Sequence, residues 1–131
     1  MKTDSTPEVA DIREALGDGV LEDLQMWHLY GGWFGFDYVW QAKAPPEVIP
    51  ILTNSMKLKS ITEAQVPPEF WKILPSRSEI PPWWRPKPLE GAEYYMSPTF
   101  IPGDVRNDRL DGVVMYDPRQ QRIWVWSQFD F

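Results

Sequence analysis

The chain has 131 residues, no cysteine, and 19 acids against 13 bases, for a formal net charge of −6. That length suits one domain around one hydrophobic core, and the lack of cysteine excludes disulfides, thiolate metal sites and thiol nucleophiles within this sequence. Phosphate backbones are bound by neutralising them, so an acidic chain without a basic stripe argues against a nucleic-acid partner.

The acidity is concentrated at the start: residues 1–40 carry eight acids and two bases. The opening residues lack the apolar run of a leader peptide, and no stretch reaches the ~20 apolar residues that span a bilayer, so the sequence points to a cytoplasmic protein without a membrane partner. Thr6-Pro7-Glu8 reads as an N-cap, a proline at the first helical position and an early acid. Val9, Ile12 and Leu16 then recur at helical spacing, and Gly17 stops the helix. A second short helix is expected from Asp18 or Gly19 to about Tyr30, with Val20, Leu24 and Trp27 on one face and Gly31-Gly32 ending it.

Residues Trp33 to Ala42, WFGFDYVWQA, have the aromatic and β-branched content of a strand, with Phe34, Phe36, Tyr38 and Trp40 on one face. Ala44-Pro45-Pro46-Glu47 leads into a short helix over VIPILTNSM, in which Pro50 is tolerated only in the first turn or as a kink. Ten of the 14 prolines lie between Pro45 and Pro88. Each fixes φ and removes a donor, so this part is expected to be rigid loop and short helical turns, not regular sheet. One such turn is Pro67 to Leu74, offering Phe70, Trp71 and Leu74 for packing and closed by Pro75.

Tyr94-Tyr95-Met96 reads as a strand and residues 101–112, IPGDVRNDRLDG, as a polar loop. Val113 to Tyr116 and Arg122 to Phe129 form a β-hairpin whose turn has Asp117 and Pro118 at their preferred places. In the last strand Ile123, Val125, Ser127 and Phe129 share one face, and Trp124, Trp126 and Gln128 the other. A strand apolar on both faces belongs in the middle of a sheet or under a cover, and the proline-rich segment is the available cover. The fold class that follows is α+β: a small antiparallel sheet with a C-terminal hairpin, N-terminal helices and a proline-rich covering segment. The whole chain, 1–131, forms a single domain, divided into an acidic helical part (1–32), a strand (33–44), proline-rich loops (45–90) and the closing strands (91–131).

Candidate chemistry is sparse. His28 is the one histidine, which excludes a two-histidine zinc site, and no G-x-S-x-G elbow accompanies it. Asp104, Asn107, Asp108 and Asp111 sit in a turn-rich loop whose spacing misses the calcium-loop pattern, so a solvated loop is expected and no metal. Glu69, Glu79, Glu90 and Glu93 are carboxylates without a spacing that defines a hydrolytic pair. GGWFG lacks the lysine of a phosphate loop, and no cofactor is implied.

The most unusual local feature is IPPWWRPKP, residues 80–88, in which Trp83 and Trp84 are fixed between prolines and followed by Arg85. Rigid Trp and Arg make binding hot spots, and the same residues also make a lid over a sheet; neighbours in an extended segment point opposite ways, so one tryptophan can be core and the other exposed. A polyproline ligand for an aromatic groove is a further reading. Size, acidity and the absence of catalytic motifs favour binding over catalysis. The leading expectation is a non-catalytic protein-binding module of the inhibitor or immunity type, with Trp83, Trp84 and Arg85 as one contact set. Asp11, Glu14, Asp18, Glu22 and Asp23, read as a helical acidic face, steer a basic partner. A carbohydrate or small-ligand binder using exposed tryptophan is the alternative, a small hydrolase the third, and a homo-oligomer would form on the aromatic patch.

Overall fold

Thr6 caps the first helix: its backbone is extended and its side chain accepts a hydrogen bond from the amide of Val9 at 3.4 Å. With Pro7 in the first turn, helix α1 runs Pro7–Leu16 and ends at Gly17, whose φ of 103° suits glycine and whose amide bonds back to Arg13 at 2.8 Å. The computed structural model describes residues 6–29, 36–71, 81–102 and 110–129. Expectations for residues 30–35, 72–80 and 103–109 lie outside the described residues, among them the glycine pair, Phe34, Pro75, Glu79, Asp104, Asn107 and Asp108.

The segment expected as a second helix is a strand, β1, Glu22–Leu29. Val20, Leu24 and Trp27 fit a helical period, but the same stretch also alternates, and pairing with the next strand decides between the two patterns. That strand is β2, Phe36–Lys43, in register from Gln25↔Gln41 to Leu29↔Asp37. The side chains confirm the alternation: Gln41 donates to Gln25 at 2.7 Å on one face, and Leu24 and Met26 pack against the core on the other. A bulge between Glu22 and Gln25, with Asp23 at φ 55°, bends the start of β1.

Helix α2, Val48–Met56, follows the double proline as expected, with Pro50 in its first turn. Among its described residues the proline-rich part holds one short piece of sheet, β3, Lys59–Ile61, which lies between Pro50 and Pro67 where the ladder donors are intact. A 3₁₀ turn at Glu63–Gln65 and a one-turn helix α3, Pro68–Trp71, come next. Strand β4, Glu93–Met96, and the hairpin strands β5, Leu110–Asp117, and β6, Arg122–Phe129, complete the chain. Residues 110–112, expected as loop, extend β5 toward its N-terminus, because Asp111 is tied to Thr99 at 2.7 Å and Gly112 to Ser97 at 2.9 Å. The hairpin turn uses Asp117 as expected: its carboxylate accepts from the Arg119 amide at 3.0 Å.

All neighbours are antiparallel, in the order β1-β2-β6-β5-β4-β3. β6 is therefore interior, which accounts for its two apolar faces. On one face α1 and α2 cover Trp40, Ala42, Val114, Tyr116, Ile123 and Val125 with Val9, Ile12, Val48, Leu52 and Met56. On the other, Phe70, Trp84 and Phe100 from the proline-rich cover and the loop after β4 pack on Val39, Val113, Met115, Trp124 and Trp126. Among the described residues no helix is long and apolar enough to cross a membrane.

Candidate functional site

The five sequence-selected acids are all exposed, on three different elements. Asp11 and Glu14 stand on α1 at a spacing that puts both on one side of the helix. Asp18 follows in the turn after Gly17, and Glu22 and Asp23 occupy the bulged start of β1, so the expected single helical face becomes a helix followed by a strand start. Across residues 11–23 the only cation is Arg13. Ser55 of α2 donates to the Asp11 carboxylate at 2.6 Å.

That bond sits at the end of an open groove of about 590 Å³ between the two helices. Asp11, Glu14 and Ala15 form one wall, and Pro50, Ile51, Asn54 and Ser55 the other. Two carboxylates beside an apolar strip combine negative charge with a hydrophobic surface, the chemistry that suits a long cationic side chain. The groove exists because α1 and α2, far apart in sequence, pack side by side on the sheet.

Trp84 is buried at 3% exposure, and its indole donates to the carbonyl of Phe70 at 3.2 Å and meets the Phe70 ring edge to face at 5.4 Å. It is a lid residue. Trp83 is half-buried, edge-on to Trp84 at 6.4 Å, and Arg85 is exposed. This contact set lies on the sheet face opposite α1 and α2, so the structure does not bring Trp83 and Arg85 together with the acidic groove.

His28 is exposed on β1 and stacks on Tyr38 at 4.7 Å, which in turn stacks on Phe129 at 5.7 Å. Loss of water around the imidazole lowers its pKa from the ordinary histidine value. Glu93 accepts from the Tyr95 hydroxyl at 2.7 Å, and burial together with that acceptor pushes the phenol up to about 12. Glu69 is half-buried and Glu90 exposed. Asp111 is buried in β5, held by Thr99, and among the described residues no group of three potential ligands gathers around a metal position.

One charged group that sequence reasoning placed only as an early helix acid is buried. Glu8 is fully covered, its Oε2 accepting from the Trp40 indole at 2.9 Å. Glu8 Oε1 and Ser127 Oγ, both buried, face one another; the hydroxyl favours the carboxylate yet lies outside ordinary hydrogen-bond geometry. The signal was present in the sequence, since Glu8 is four residues before Ile12 and shares its inward face. Burial is the dominant effect and raises the Glu8 pKa above its usual value of 4.5. A carboxyl raised in the folded state holds its proton there while the unfolded chain loses it, so its contribution is complete below the unfolded value and is lost as pH rises through the folded one. Glu8→Gln should therefore flatten the alkaline side of the stability profile and raise Tm at neutral pH, checked by thermal unfolding from pH 4 to 9 on the order of one unit apart. An unchanged profile would place the charge elsewhere.

Comparison with protein-family models, with curated proteins and with solved structures finds no match to this chain.

Proposed function

We propose that this chain is a non-catalytic protein-binding module that holds a basic partner on the acidic surface running from α1 to the start of β1, and neutralises that partner by occupying it. The observation that carries the reading is the α1–α2 groove, where Asp11 and Glu14 flank the apolar strip of Pro50 and Ile51. Carboxylates massed on one side attract and orient a cationic surface before contact, and the groove then supplies apolar burial that free charge alone does not. Asp18, Glu22 and Asp23, exposed on the turn and the strand start that follow α1, add to the same negative field. Trp83 and Arg85 enter as a second contact surface on the far side of the sheet, with Trp84 supporting Trp83 from within.

The test is capture from native lysate at about 50 mM and about 500 mM salt, where the screening length falls from roughly 14 Å to 4 Å. Wild type should retain a stoichiometric basic protein at low salt and release it at high salt. A variant with Asp11→Asn, Glu14→Gln, Asp18→Asn, Glu22→Gln and Asp23→Asn should keep its Tm and associate roughly 10- to 100-fold more slowly. Retention by that variant, or binding indifferent to salt, refutes the acidic surface. Loss only on Trp83→Ala with Arg85→Ala moves the contact to the opposite face.

A further inference from the structure

Few side chains hold α1 on the sheet. Of its ten residues only Glu8, Val9 and Ile12 are buried, and Leu16, at the helical spacing that should turn it inward, is 38% exposed. The helix lies outside the ladder, so its departure breaks no strand pairing. Its side-chain tie to α2 is the exposed bond from Ser55 to Asp11. It leads into β1 through Gly17, Asp18 and Gly19, all exposed, and nothing lies within 4 Å of the place a Cβ would take at either glycine. Such a joint has both the backbone freedom and the room to turn.

One of the three buried anchors is a carboxyl. Glu8 Oε2 accepts from the Trp40 indole of β2, while Oε1 lies buried beside the Ser127 hydroxyl of β6, neither of these two in ordinary hydrogen-bond geometry. A buried anion needs a cation or a full set of donors, whereas a neutral carboxyl tolerates such a place. Among the described residues the elements around Glu8 offer little charge. α2 has no charged residue between Val48 and Met56, only Glu47 at its N-cap. On the sheet face of Trp40 the nearest titratable groups are Tyr38, the register partner of Ser127, and His28 stacked on it. On α1 itself they are Asp11, Arg13 and Glu14. What acts on Glu8 is burial first, then the hydrogen bonds of Trp40, Ser127, its own backbone and Thr6.

We propose that α1 is a pH-sensitive latch: when Glu8 ionises, the helix leaves the sheet about Gly17–Gly19 while α2 and the six strands stay in place. The sign follows from the proton held in each state. Undocked, Glu8 meets water and ionises near its usual 4.5; docked, burial keeps the proton on to higher pH. Docking is therefore strongest below the undocked value and is lost as pH rises through the docked one, the undocked fraction growing by up to about tenfold per pH unit. Release also carries Asp11 and Glu14 away from Pro50 and Ile51, so the same step takes the α1–α2 groove apart.

Amide exchange of the full chain from about pH 5 to about pH 9, corrected for the intrinsic rate at each pH, tests the latch. It needs no partner, so its outcome is separate from that of the binding reading. Protection of the α1 amides, beginning with Ala10, which is bonded to the Thr6 carbonyl at 3.0 Å, should fall by up to about tenfold per unit while the β5–β6 ladder holds. Glu8→Gln and Glu8→Met, neutral at every pH, should keep α1 protected throughout. Protection of α1 that ignores pH overturns the proposal. So does a parallel loss in the β5–β6 ladder, which is global unfolding, a fall that survives both Glu8 variants, or one that His28→Asn abolishes.

Discussion

Trp40→Ala should lower the free energy of unfolding by about 3–5 kcal/mol, the largest loss expected of any single substitution in this chain. Trp40 is fully buried where α1 meets β2, so truncation removes a large apolar group from a packed layer and leaves a cavity that α1 cannot wholly close. It also removes the indole N–H that donates to Glu8 Oε2, leaving the buried carboxyl less well compensated. Trp40→Phe shifts the balance between the two effects, because it keeps much of the packing while it removes the indole N–H along with part of the ring, for about 1–3 kcal/mol. Adding Glu8→Gln to Trp40→Phe should recover part of that loss, since a neutral amide needs the donor less than a carboxyl does. Urea unfolding of the four proteins measures all of this. Trp40→Ala within about 1 kcal/mol of wild type would contradict the packing described here.

Gly112→Ala should cost about 1–3 kcal/mol, for steric and not conformational reasons. A Cβ at this position would sit 1.9 Å from Met56 Cε and 2.8 Å from the Trp126 carbonyl oxygen. The methyl end of Met56 can move and the Trp126 backbone cannot without disturbing the β5–β6 ladder. The same place carries a hydrogen-bonded clip: Ser97 accepts from the Gly112 amide at 2.9 Å and donates to the Met56 carbonyl at 2.6 Å, tying the end of α2 to the sheet. Met56→Ala alone opens a cavity, yet in the Gly112→Ala background it removes the principal clash. The two substitutions should therefore be less harmful together than their sum by about 1 kcal/mol or more, as contacting residues are. Strict additivity in a double-mutant cycle would mean that α2 does not approach β5 as closely as described.

How far the sequence could be read depended on how local the determinants were. α1 was legible because Thr6, Pro7 and Gly17 act within their own turn. The hairpin was legible because Asp117 and the residues after it close their own loop. β1 was not, since Leu24 and Trp27 satisfy two periods and only the ladder with β2, in which Trp27 pairs with Val39, selects the strand. Gly112 read as a loop residue because its reason for being glycine is Met56, on another element. The split between Trp83 and Trp84 was foreseen from alternation, but which of the two is buried depended on Phe70. Exposure of the five acids was foreseen from their charge. The groove between Asp11 and Ile51 was not, because no sequence pattern encodes the packing of α1 beside α2.

Hydrogen–deuterium exchange of the protein alone and bound to its captured basic partner tests the central claim most directly. The account expects slowed exchange along the exposed side of α1 through the start of β1, residues 11–23, and across the α2 residues that line the groove, 50–55. Slowed exchange confined to the segment around Trp83 and Arg85, with α1 and α2 unchanged, would contradict it.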